Sequence, residues 1–335
     1  MGINRAERQR RGLERVERVR RQLTTLLERG PLDPVERAQA GEVLGAIGDP
    51  RFAPEPFYLP CCYRGKAEER FGFVEIPKGP FWMGSKQGDP EADKDELGNP
   101  NPLEIPYSYW IARYPVTVAQ FGVFVKDGGY TETGWWRTRA AQHWLREAKV
   151  TAPRYWETQC LHPTRPVVYV TWYEAMAYCA WLDAKLRGLD NSVIPPGYQL
   201  RLPSEAEWEK AARSGERVRY PWGDEEWDVQ RANISDSGLS YPTPVGIYPH
   251  GATPSGLHDV AGNVWEWTLT AWGDYPYEPH RNNPEGEIGR VVRGGSWSYY
   301  RRRARCAFRL GDHPVINWND PLGFRVVVSP ADSVF

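Results

Sequence analysis

Histidine is absent from the first 142 of the 335 residues, and only six occur in the whole chain. His143, His162, His250, His258, His280 and His313 are scattered, with no His-Glu-x-x-His pair, so a zinc-hydrolase helix is excluded. Lysine is scarce, at 8 of 42 basic residues. That bias toward arginine fits a GC-rich genome or a heat-adapted source, and composition does not separate the two. Net charge is also lacking: at −1, the chain has no general electrostatic grip on nucleic acid or membrane. No apolar run approaches the ~18 residues needed to cross a bilayer. The basic N-terminus has no 7–15-residue apolar core of a secretory signal. Five cysteines (Cys61, Cys62, Cys160, Cys179 and Cys306) are an odd number without zinc spacing, and a reduced, cytoplasmic protein is expected. A Gly-rich phosphate loop and a nucleophile elbow are missing too.

What is present is aromatic and rich in turn residues. Sixteen Trp and 18 Tyr supply ample core, while 30 Pro and 32 Gly, spread along the chain, predict many fixed turns. Leu13, Val16, Val19, Leu23 and Leu26 recur at steps of three and four, one apolar stripe on a helix otherwise built of Arg and Glu. A Gly-Pro turn and a second short helix ending at Gly-Asp-Pro follow, giving a helical hairpin over 1–52. The hairpin either packs on the main domain or offers a docking surface to a partner or a second copy. The stretch 53–70 reads as a linker, and the main domain as 71–330.

Three helix starts in that domain carry capping boxes: Thr117-Val-Ala-Gln120, Thr171-Trp-Tyr-Glu174 and Ser204-Glu-Ala-Glu207. In each, a hydroxyl accepts from the amide three residues on, and the Glu or Gln there reaches back. Trp172, Ala175, Met176, Cys179 and Leu182 form the expected buried stripe of the second helix. Glu205, Glu207 and Glu209 are the one tight carboxylate cluster. Glu207 is expected to cap, and the other two to face solvent or pair with arginine.

"GPFWMGS" (79–85), "YPVTVAQF" (114–121), "RPVVYVTWYEAMAYCAWL" (165–182), "RLPSEAEWEKAAR" (201–213), "YPWGD" (220–224), "GLHDVAGNVWEWT" (256–268), "RVVRGGSW" (290–297) and "LGFRVV" (322–327) follow one another in order. Together they resemble the formylglycine-generating enzyme (sulfatase-modifying factor) family over roughly 71–328. The resemblance implies an α+β, C-type-lectin-like fold with little regular secondary structure. It also implies a test for catalysis. The family's enzymes use copper and two cysteines placed shortly after the "GGS" element, whereas here only Cys306 follows Ser296. One sulfur cannot form a copper(I) dithiolate. A second enzymatic branch, which makes sulfur–carbon bonds at iron, draws its histidines from an N-terminal helical domain that has no histidine here. The expectation is therefore a chain without catalytic activity.

The resemblance further implies structural calcium, held at Asn233, Ile234, Asp236 and Leu239 and again at Gly262, Asn263, Val264 and Glu266. Oxygen donors of this kind suit Ca²⁺, although Asp236 is displaced from the family's spacing.

The segment 298–321, "SYYRRRARCAFRLGDHPVINWNDP", contains no Lys, Glu, Gln or Met, types that supply 47 of the 335 residues, so about three were due in these 24 positions. Codons of the AAY type with both adenines randomised become NNY, which never encode those four. This resembles the variable protein of a diversity-generating retroelement, in which the same lectin-like fold displays mutable positions on an exposed ligand-binding face. Ser298, Tyr299, Tyr300, Arg303, Phe308, Leu310, Gly311, Asp312, Ile316, Asn317 and Asn319 are the candidates, and Arg302, Arg305, Arg309 and Trp318 the framework. Tyr, Arg and Phe give large contacts with few torsions, while Ser, Asn and Gly adapt, as in antibody paratopes. The ligand would be a protein or another macromolecule. If so, Tyr299, Tyr300, Phe308 and Ile316 are jointly replaceable without loss of stability. The alternative is a family member with an accessory enzymatic or effector-sensor role. An anion or nucleic-acid site on the run of arginines is disfavoured, because alternate arginines of a strand face opposite sides.

Overall fold

The computed structural model describes residues 5–30, 32–97, 101–215, 217–285, 288–315 and 321–331. All three capping boxes are formed, at the starts of helices Val118–Lys126, Trp172–Arg187 and Glu205–Arg213. Each such cap is worth about 1 kcal/mol. Because these signals involve residues three apart, tertiary packing has little chance to override them.

Two four-stranded sheets frame the domain. The first runs in the order Phe73–Ile76, Tyr109–Ala112, Val327–Pro330, Tyr198–Arg201 and is antiparallel throughout. The second runs Arg309–Asp312, Arg290–Arg293, Trp265–Ala271, Leu322–Gly323, with only the last pair parallel. The "LGFRVV" segment thus ties the sheets together: Leu322 and Gly323 pair in one and Val327 in the other. Between them Phe324 is fully buried against Phe121 and Tyr178.

The Trp172–Arg187 helix fills the main core. Its burial runs nearly all round, with Tyr173, Tyr178 and Trp181 joining Trp172, Ala175, Cys179 and Leu182, while Met176 is only half-buried. A single stripe was too narrow an expectation, because sheet residues and the Phe121–Phe124 pair approach this helix from several sides. No helix among the described residues is long and apolar enough to cross a membrane.

The hairpin consists of helices Arg5–Arg29 and Pro34–Ile47. The stripe assigned to the first helix is covered only in part: Leu13 is 63% exposed and Val19 and Leu26 are exposed as well, while Val16 and Leu23 are half-buried. Leu27 is buried, packed with Leu44, Ile247 and Tyr248, and Leu23 of the stripe joins that cluster. Arg37, fully buried, fastens the hairpin by donating to the carbonyls of Leu27, Gly30 and Ile247 and to Gln230 Oε1. The stretch after the hairpin is packed too, with Phe57 edge-on to Trp181 and Leu59 in the main core.

Candidate functional site

The strand Arg290–Arg293 delivers the chain to a turn in which Gly294 and Gly295 both take positive φ, +95° and +73°. A Cβ on Gly295 would lie 2.8 Å from the Arg303 carbonyl, so glycine is required where the tail folds back. The returning chain forms a short 3₁₀ turn, Arg301–Ala304, then the edge strand Arg309–Asp312.

Arginines pin this tail from beneath. Arg309 forks onto Glu205 at 2.7 and 2.8 Å, sandwiched near the rings of Trp272 and Tyr275. Arg293 joins Glu205, at 3.1 Å, to Glu209, which also holds Arg213 at 2.8 Å. Arg305 grips Glu96 with two bonds of 2.7 and 2.8 Å. Glu205 and Glu209 are fully buried, so neither faces solvent, and the pairing alternative describes both. Glu207 caps as expected and also binds Arg201. The cause is helix geometry: positions 205 and 209 share one face, turned toward the tail, and 207 the opposite one. Their i, i+4 spacing is the sequence signal for this role.

On this base the candidate residues separate. Ser298 and Tyr300 are exposed, Tyr300 at 73%. Tyr299 is half-buried, edge-on to Trp265 at 5.6 Å, and Arg303 lies 4.4 Å over its ring. Leu310 and Asp312 are half-buried on the edge strand. Two candidates are placed otherwise than expected. Phe308 is 5% exposed and packs on Trp265 within the main core, so it is not a surface contact. Gly311 is exposed, yet a Cβ there would sit 2.6 Å from the Trp272 ring, so a larger residue requires that indole to shift. Ile316, Asn317 and Asn319, with framework Trp318, lie outside the described residues.

The calcium residues divide as well. In the first loop Asn233 Oδ1 and the Ile234 carbonyl both accept from Ser237 Oγ, at 2.8 and 2.6 Å, so two oxygens already converge on one point. Asp236 is exposed beside them and Leu239 is buried. Oxygens of these types are the donors a hard cation takes, and here Ser237 would have to release the two it holds. In the second loop the side-chain oxygens are already engaged. Glu266, the only carboxylate assigned to it, is bound by Arg325 at 2.6 Å through each oxygen and by Trp208 Nε1 at 2.7 Å. Asn263 Oδ1 accepts the Thr243 amide at 2.9 Å. Val264 is buried between these residues.

Cys306 is fully buried, and burial pushes its thiol up to about 12, which leaves it unreactive near neutrality. Among the described residues, no three of His, Cys, Asp or Glu gather as a metal cluster.

The two sheets, the central helix and the folded-back tail define a C-type-lectin-like protein of the formylglycine-generating type. Residues 64–330 match the sulfatase-modifying factor enzyme 1-like domain, and the chain belongs to that family. It is 36% identical over 255 residues to the hercynine oxygenase of Mycobacterium tuberculosis, covering 70% of this chain and 56% of that protein. It is 30% identical over 303 residues to the formylglycine-generating enzyme of Thermomonospora curvata, covering 75% and 91%. Among solved structures, Treponema denticola variable protein 1 superposes with a TM-score of 0.55 at 23% identity, covering 77% and 95%. The chain spans about half the length of the hercynine oxygenases it matches.

These relatives overturn the expectation of a chain without catalytic activity, since proteins this similar are named as enzymes. The inference failed because a missing cysteine pair removes one route, the copper dithiolate, and says nothing about other chemistry on the same fold.

Proposed function

We propose that this family member presents a ligand-binding surface along 298–315, diversified in the manner of a retroelement variable protein. One observation carries the reading: within a single short segment, anchoring and display are assigned to different residues. Arg305 and Arg309 are locked into buried ion pairs, while Ser298 and Tyr300 project into solvent. Tyr299 and Arg303 form a shallow cation–aromatic platform between them. Such a surface fits a macromolecular partner, with aromatic anchors supplying area and small polar residues adapting to it. The lectin-like scaffold supports the reading at the level of fold. Five cysteines with no disulfide among them fit a reducing compartment such as the cytoplasm.

The test is to sequence the 3′ coding end from a growing population of the source cells. Substitutions should concentrate at the codons for Ser298, Tyr299, Tyr300, Arg303, Leu310 and Asp312 and spare those for Arg305 and Arg309. An even spread, or none, refutes diversification.

The identity to hercynine oxygenases favours a second reading, an enzymatic role within the family. Oxygen uptake by the purified chain with a thiol substrate, measured with ferrous iron and with copper, separates the two.

A further inference from the structure

Beside the Trp172–Arg187 helix, on a wall the tail does not touch, lies a cavity of about 540 Å³. Small-molecule sites commonly span ~300–1,000 Å³ and combine an apolar lining with a few polar groups. The lining here is aromatic and aliphatic: Trp135, Trp136, Tyr173 and Met176. Arg201 also reaches this wall, but Glu207 neutralises it.

Two opposite charges stand at the cavity rim among the described residues, and the buried Arg290 guanidinium lies within electrostatic reach of the acidic one. Arg137 and Glu285 both line it, both are exposed, and neither has an ion-pair partner among the described residues. A monoanion entering here would meet Glu285, and a monocation would meet Arg137. A zwitterion with a flat apolar body satisfies both.

We infer that this cavity binds a zwitterionic aromatic ligand of the α-amino-acid class. Arg137 takes the carboxylate, Glu285 the ammonium, and the Trp135–Trp136–Tyr173 wall the ring. The inference does not depend on the tail as a binding face, because no residue from 298 to 315 lines this cavity.

The test is calorimetric titration of the full chain with three probes: L-tryptophan, indole-3-propionate, which lacks the ammonium, and tryptamine, which lacks the carboxylate. L-tryptophan should bind saturably and most tightly. Arg137→Gln should weaken L-tryptophan and indole-3-propionate by about three- to tenfold and leave tryptamine unchanged, in keeping with the modest worth of exposed charge pairs. Glu285→Gln should weaken L-tryptophan and tryptamine and spare indole-3-propionate. Both side chains are exposed, so folding is not at stake in either variant. Met176→Trp, which places a ring in the cavity from a half-buried position, should abolish binding of all three. Absence of saturable binding, or charge variants that affect the three probes alike, overturns the inference.

Discussion

Phe308 and Tyr300 stand eight residues apart in the segment proposed for display, and the structure gives them opposite duties. Phe308 is 5% exposed and packed on Trp265, whereas Tyr300 is 73% exposed. Truncating a buried phenylalanine loses its transfer free energy and leaves a cavity, together about 3–5 kcal/mol. Tyr300→Asn removes a side chain that covers nothing, so its cost stays within ~0.5 kcal/mol. Tyr299→Asn falls between, because the edge-on contact with Trp265 and the Arg303 cation are each worth on the order of 1 kcal/mol. At roughly 2–4 °C per kcal/mol for a chain of this class, Phe308→Ala should lower the melting temperature by on the order of 10 °C. Tyr300→Asn should shift it by no more than about 2 °C. Circular-dichroism melts of the three single variants decide the matter. The joint replaceability expected of Tyr299, Tyr300, Phe308 and Ile316 therefore fails at Phe308. If Tyr300→Asn unfolds as early as Phe308→Ala, or Phe308→Ala is silent, the division between anchor and display is wrong.

Glu205→Gln strands the buried Arg309, leaves Arg293 with Glu209 alone, and should cost about 3–5 kcal/mol, read as a lower urea midpoint with unchanged slope. His258 is held neutral by burial and by the nearby cations of Arg51 and Arg113, well below its ordinary value of 6.5. The unfolded chain therefore takes a proton that the native state refuses. Stability should be full above pH 6.5 and fall as pH drops below it, and His258→Gln should flatten that fall in pH-dependent melts. Added Ca²⁺ should raise the melting temperature through the first loop, and Asp236→Asn should remove the response; a melt indifferent to chelator counts against the site.

The legible parts of this chain were those decided locally. A hydroxyl and a Glu or Gln three residues apart define a cap whatever packs around it, and all three caps are present. Exposure along the tail was not legible, because it depends on what lies beneath. Tyr300 and Phe308 are equally apolar in sequence, and only Trp265, more than thirty residues upstream, decides that one is covered. Gly311 reads as replaceable in sequence, but Trp272 lies against it. Glu266 looked like a calcium ligand because its neighbours do, yet its partner is Arg325, 59 residues away. The stripe on the first helix was real as a pattern, but periodicity identifies a face without saying what covers it.

The arginine run shows how far sequence reasoning reaches in such a fold. Alternation along a strand implied that some of these cations are buried and paired; the run folds instead as the 3₁₀ turn Arg301–Ala304, and the buried pairs are made by Arg305 just after it and Arg309 on the edge strand. What alternation cannot supply is the partners, since Glu96 and Glu205 come from segments about a hundred residues or more upstream. Long guanidinium side chains cross that gap and hold the tail by its backbone side, with bonds that do not involve Ser298 or Tyr300. A tail anchored this way can change its outward residues without disturbing its attachment. That independence makes an arginine-pinned edge a suitable place to vary a binding surface, and it fails where a position reaches the core, as Phe308 does, or lies against a ring, as Gly311 does.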